Sequence, residues 1–128
     1  MKMEHIGIQV KDAEEVARWY CENLGFTVKR SVDGDAPVRF IADSGGAILF
    51  EMYHNPNVLL PDYASMDPMV LHFAFNCADV PATVGALVEA GASLVKAPIT
   101  TEAGDELAML RDPWGLPIQL ANRKSALN

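Results

Sequence analysis

The chain has 128 residues, half of them hydrophobic and 21% charged, which suffices for one compact core and is too little for two domains of ordinary size, at roughly 100–200 residues each. Its 10 Lys and Arg against 17 Asp and Glu give a formal net charge of −7, so no basic field draws it to nucleic acid or to an anionic membrane. No apolar run approaches the roughly 20 residues of a membrane-spanning helix, and Met1-Lys2-Met3-Glu4 leads into a strand-like segment with no signal-peptide core, so the cytoplasm is the expected address. Cys21 and Cys77, the two cysteines, have neither metal-knuckle spacing nor a disulfide framework and read as reduced packing residues.

His5-Ile6-Gly7-Ile8-Gln9-Val10 alternates, with Ile6, Ile8 and Val10 on one face of a strand and His5 on the other. A helix follows. Asp12 is its N-cap with Glu15 three residues on, Ala13, Val16, Ala17, Tyr20 and Leu24 fall at helical spacing, and Gly25 ends it. Three strands are predicted next, over Phe26–Val32, Val38–Ala42 and Ala47–Tyr53, the last two joined by the turn Asp43-Ser44-Gly45-Gly46.

From His54 to Met69 the prolines Pro56, Pro61 and Pro68 argue against regular structure and predict a linker. Val58, Leu59, Leu60, Tyr63 and Met66 make it apolar for a loop, which predicts that it covers part of the molecule or meets a second subunit; His54 is expected at the surface. The pattern then starts again. Leu71, Phe73 and Phe75 share a strand face with His72 on the opposite one, and a helix runs from Asp79 through Val84, Leu87 and Val88 to Gly91 with Pro81 in its first turn. Strands are predicted over Ser93–Ala97, Glu106–Arg111 and Leu116–Ala121, the last two joined by Asp112-Pro113-Trp114-Gly115.

The order is β-α-β-β-β, twice. His5 and His72 are 67 positions apart, Gly25 and Gly91 66, and Asp43 and Asp112 69, so the domain is a duplicated module. It is expected to be a single α+β domain over 1–128, with module one at 3–53, the linker at 54–69 and module two at 70–122. In the last strand of module one Ile48, Phe50 and Met52 share a face, which leaves Glu51 on the other; in module two Ile118 and Leu120 leave Gln119. Glu51 and Gln119 are 68 positions apart, and pseudo-twofold symmetry is expected to bring His5, Glu51, His72 and Gln119 toward one point. Imidazole and carboxylate are good ligands for Zn, Ni, Co, Mn or Fe, and an amide oxygen is a weaker, uncharged one.

The duplicated module, the histidine opening each half, the acid in the fourth strand and the Asp112-Pro113-Trp114-Gly115 turn followed by Ile118-Gln119-Leu120 resemble the vicinal-oxygen-chelate superfamily, which holds glyoxalase I, bleomycin-resistance proteins and extradiol dioxygenases. The resemblance implies that the modules form an open, curved mixed sheet, a half-barrel with helices on its convex face, and that a divalent metal is held at His5, Glu51, His72 and Gln119. It implies a glyoxalase-like lyase or isomerase that chelates adjacent oxygens of a small substrate, in a homodimer. Where glyoxalase I usually has a glutamate this chain has Gln119, and an amide takes up no proton near neutral pH, so Glu51 is the candidate base. Gln119 also keeps open a metal-free binding or sequestering protein of bleomycin-resistance type. The set His5, His72 and Glu51 keeps open an Fe(II) extradiol-type dioxygenase.

Other polar and aromatic positions take plainer readings. Arg39, Lys96 and Arg111 are expected as solvated strand-edge charges rather than anion-recognising groups, Trp114 as a packing or interface residue, and Met66 and Met69 as gap fillers.

Overall fold

The computed structural model describes residues 1–47 and 49–127. The chain divides into two compact units, Met1–Pro61 and Asp62–Asn128, with the boundary inside the expected linker. Each unit is one β-α-β-β-β module. The first has β1 (Ile6–Gln9), α1 (Ala13–Leu24), β2 (Thr27–Val32), β3 (Val38–Ala42) and β4 (Leu49–Tyr53); the second has β5 (Phe73–Asn76), α2 (Val80–Glu89), β6 (Ser93–Thr100), β7 (Glu106–Arg111) and β8 (Pro117–Asn122). The sheets are ordered β1-β4-β3-β2 and β5-β8-β7-β6, the first pair in each parallel and the others antiparallel. A parallel pair needs a crossover, and the helix with two strands supplies it.

The helix ends follow the caps in the sequence. Asp12 accepts from the Glu15 N–H, Asp79 from that of Ala82, and Gly25 closes α1 in the left-handed conformation at φ 70°. The second helix stops one residue before the expected glycine, at Ala90. The turn before each last strand is built the same way. Asp43 and Asp112 accept from the N–H groups of Gly46 and Gly115, at 2.9 and 3.0 Å, and each carboxylate takes the next N–H, from Ala47 or Leu116. Gly46 and Gly115 have φ of 71° and 93°, which a side chain rarely adopts.

Ile8, Val10, Ile41, Phe50 and Met52 are buried with Val16, Ala17 and Tyr20 of α1, and Tyr20, Phe26 and Phe50 pack ring on ring at 5.4–6.2 Å between centroids. In the second unit Leu110, Leu116, Ile118 and Leu120 are buried with Val80, Val84 and Leu87. Burying such a side chain stabilises by about 1.5–3 kcal/mol, so these faces fix which side of each sheet stays open. Ile48, expected beside Phe50 and Met52, lies outside the described residues.

Several expectations change. Leu71 is exposed rather than in the core, because pairing of β5 with β8 begins at Phe73 opposite Ile118. Met69 is exposed and fills no gap. The linker has one 3₁₀ turn, Tyr63–Ser65, capped by the Asp62 carboxylate. Arg111 is no solvated edge charge: its guanidinium donates to the carbonyls of Tyr63, Met66 and Gly115 and pins that turn to the second module. Arg39 likewise bonds Glu14, Asp33 and the carbonyls of Val32 and Val38. Cys21 and Cys77 are free thiols, half-buried, and burial raises the pKa of both.

Candidate functional site

Alternation decides what each sheet presents on the face away from its helix. In the first module Ile6 and Ile8 pair with Phe50 and Met52 on the core side, so His5 and Gly7 lie with Glu51 and Tyr53 on the other. His5 stands just before β1, where the register carries it diagonally past Glu51. Its Nε2 is 3.2 Å from Glu51 Oε2, and its Nδ1 is hydrogen-bonded to the Glu4 carboxylate. The ring packs edge-on against Phe40 at 5.8 Å.

The Glu4 hydrogen bond holds the His5 imidazole above the usual histidine range; desolvation pulls the other way, and the negative charge of Glu51 adds to the rise. Gly7 makes room for the carboxylate. A methyl group there would stand 3.2 Å from Glu51 Oε2 and 3.3 Å from the Tyr53 ring.

The second module repeats the register. Ala74 pairs with Gln119 as Gly7 pairs with Glu51, so His72 and Gln119 share the face away from α2. His72 Nδ1 lies 2.9 Å from the Pro68 carbonyl. A carbonyl only accepts, so Nδ1 carries the proton and Nε2 of the neutral ring keeps its lone pair. Both His72 and Gln119 are half-buried, and the two are not hydrogen-bonded to each other among the described residues.

Two donors on one ion, with bonds near 2.1 Å, stand about 3.0–3.4 Å apart. The 3.2 Å between His5 and Glu51 fits two neighbouring ligands, and it also fits an ion pair when His5 is protonated. His72 offers the lone pair that a metal needs, with the backbone hydrogen bond that commonly orients a ligating histidine. The His5–Glu51 spacing in the first unit and the His72 lone pair in the second are each compatible with ligation of a divalent cation. Among the described residues no group of three or more His, Cys, Asp or Glu is placed to hold a metal ion.

An open cleft of about 240 Å³ adjoins Glu51, lined by Ala36, Val38, Glu51, Tyr53, His54 and Asn55. Two of these escaped the sequence reading. Tyr53 was legible as the next residue on the Glu51 face; His54 is half-buried rather than at the surface, and the signal for it was Asn122, 68 positions on at the end of the matching strand. Buried Gln9 was also missed: its amide clasps the Asn55 N–H and C=O, at 2.9 and 2.8 Å, and donates to the Val58 carbonyl.

The model of the Glyoxalase/Bleomycin resistance protein/Dioxygenase superfamily matches residues 2–120. Among solved structures the chain is similar to a glyoxalase family protein from Bacillus cereus, at 18% identity over 95% of this chain and 93% of that one with a TM-score of 0.81. It is similar to glyoxalase I from Zea mays at 22% identity over 98% of this chain, TM-score 0.77, and spans 46% of that protein's length. It is also similar to TnmS3, an antibiotic binding protein from Streptomyces sp., at 22% identity over 97% and 99% of the two chains, TM-score 0.71. At these identities the likeness is one of fold. No curated protein matches the chain in sequence.

Proposed function

This chain belongs to the Glyoxalase/Bleomycin resistance protein/Dioxygenase superfamily, and on that premise we propose that it is a divalent-metal-dependent enzyme of lyase or isomerase type, acting on a small molecule with two adjacent oxygens. The donor set is His5, Glu51, His72 and Gln119, whether one chain or two copies supply its halves. The observation that carries the reading is the His5–Glu51 pair at ligand spacing on the open face of the first sheet.

A bound divalent ion supplies Lewis-acid stabilisation of the negative charge that develops on substrate oxygen. Glu51 moves the proton. Glu51 lines the cleft, which puts its carboxylate at hand to a substrate held there. Gln119 orients and donates but takes no proton near neutral pH, so abstraction and return both rest on Glu51.

Gln119 also favours a second reading, a metal-free protein that binds or sequesters a small molecule, and the fold shared with an antibiotic binding protein supports it. One experiment separates the two. Chelator-stripped protein is titrated with Zn, Ni, Co, Mn and Fe(II) by calorimetry, and the reloaded protein is then assayed in D2O for exchange of the C–H next to the carbonyl of hydroxyacetone. The enzyme reading expects stoichiometric metal and exchange that Glu51→Gln abolishes. No metal bound by any route, with small molecules still bound, would overturn it in favour of the binding protein.

A further inference from the structure

The cleft beside Glu51 holds an imidazole that this proton chemistry leaves unused. His54 directly follows β4; its backbone N–H donates to the Pro37 carbonyl at 3.1 Å, and its ring Nδ1 lies 2.9 Å from the Val10 carbonyl. Nδ1 must therefore donate, and in the neutral ring Nε2 is an acceptor with no partner among the described residues.

The second module has a related anchor without the acceptor, on the carbonyl one residue further along. Val10 N–H bonds the Tyr53 carbonyl at 2.8 Å and Cys77 N–H bonds the Ala121 carbonyl at 3.0 Å, so His54 and Asn122 hold matching positions. Asn122 Nδ2 donates to the Ala78 carbonyl at 3.0 Å. A side-chain N–H thus ties down the end of the last strand in both modules, and an asparagine suffices for that. What the histidine adds is Nε2.

The surroundings of His54 are held by hydrogen bonds and include acceptors. Gln9 clasps Asn55 from below, and Gly7 gives Glu51 and Tyr53 their room. The Glu51 carboxylate and His54 Nε2 accept hydrogen bonds, the Tyr53 hydroxyl and the Asn55 amide can donate as well as accept, and Ala36 and Val38 are apolar. The two acceptors suit a ligand that carries a donor, since an unmatched donor or acceptor loses its bond to water. At about 240 Å³ it takes a small one.

With Glu51 read as the base, we propose that His54 Nε2 accepts a hydrogen bond from a hydroxyl of the substrate held in this cleft. Hydroxyacetone is the probe and acetone its hydroxyl-free counterpart, each added to Zn-loaded protein labelled with ¹⁵N in its imidazoles. The His54 Nε2 resonance is expected to move with hydroxyacetone and to stay with acetone. His54→Asn retains a side-chain N–H for a strand-end bond of the kind Asn122 makes; it is expected to melt like wild type and to bind hydroxyacetone about tenfold more weakly.

A stationary His54 resonance together with wild-type affinity in His54→Asn overturns the hydroxyl contact; if C–H exchange persists in that case, Glu51 stands as the base. A resonance that moves without any exchange upholds the hydroxyl contact and removes Glu51 as the base. The resonance experiment uses the unaltered protein, so it decides even if the variant does not fold.

Discussion

A single methyl group tests how closely the first half-site is fitted. Gly7→Ala places a carbon 3.2 Å from Glu51 Oε2 and 3.3 Å from the Tyr53 ring, in a strand residue that needs no positive φ. Loss of glycine's backbone freedom stabilises by about 0.5–1 kcal/mol, which roughly offsets the crowding. We expect a melting temperature close to wild type and weaker metal binding by calorimetry, as Glu51 is displaced from His5. Gln119→Glu tests the second half-site. Replacing an uncharged donor with an anionic one is expected to tighten divalent metal binding by about tenfold, because ligand charge count sets affinity at oxygen-rich sites; in a metal-free cleft the titration stays flat. His5 gives a pH test. Its pKa is raised above 6.5 in the folded chain, chiefly by the Glu4 hydrogen bond. The fold thus favours the protonated ring, and this stabilisation is complete below 6.5 and fades as pH rises through the raised value. Melting curves in chelator are expected to separate wild type from Glu4→Gln near pH 6 and to converge by about pH 9.

At the scale of elements, the 3₁₀ turn Tyr63–Ser65 is held from two sides. Arg111 donates to the Tyr63 and Met66 carbonyls at 2.9 and 2.6 Å, and a methyl on Gly115 would stand 2.6 Å from the Ala64 backbone nitrogen. Arg111→Lys cannot bridge both carbonyls and is expected to cost about 2–3 kcal/mol in denaturant unfolding, with faster proteolysis at 62–70. Gly115→Ala has no cheap relief, since its neighbour is backbone and its φ is 93°; it is expected to destabilise further. This clamp was hidden in the sequence because its acceptors are carbonyls of a loop, which carry no side-chain signature. Helices and strand faces were legible, since Asp12 and Asp79 satisfy N–H groups locally and Phe50 and Met52 alternate with Glu51 whatever the tertiary context. Leu71 was misread for the opposite reason. Its pattern is that of a strand, but whether a residue pairs depends on the partner strand, and the pairing of β5 starts at Phe73.

For the whole molecule, the constant offset between the halves made the duplication readable, and with it the histidine and Glu/Gln positions; His54 stayed obscure because proline-rich sequence follows it and its Val10 partner lies far back in the chain. Val58, Leu59, Met69, Val70 and Leu71 are all exposed. Apolar surface of this kind is commonly covered by a second copy, and the chain is expected to have a dimer's mass by light scattering at micromolar concentration; a monomer's mass would sink that expectation. The strand order also governs when each module can close. Among the described residues β1 pairs with β4 alone, Ile6 with Phe50, and β5 with β8 alone, Phe73 with Ile118. At ~5–20 residues per second the ribosome takes roughly 2–9 s to make the chain between Ile6 and its partner. Over that interval the opening strand of each half waits unpaired, and a nascent chain stalled before Leu49 carries His5 with no Glu51 to meet it.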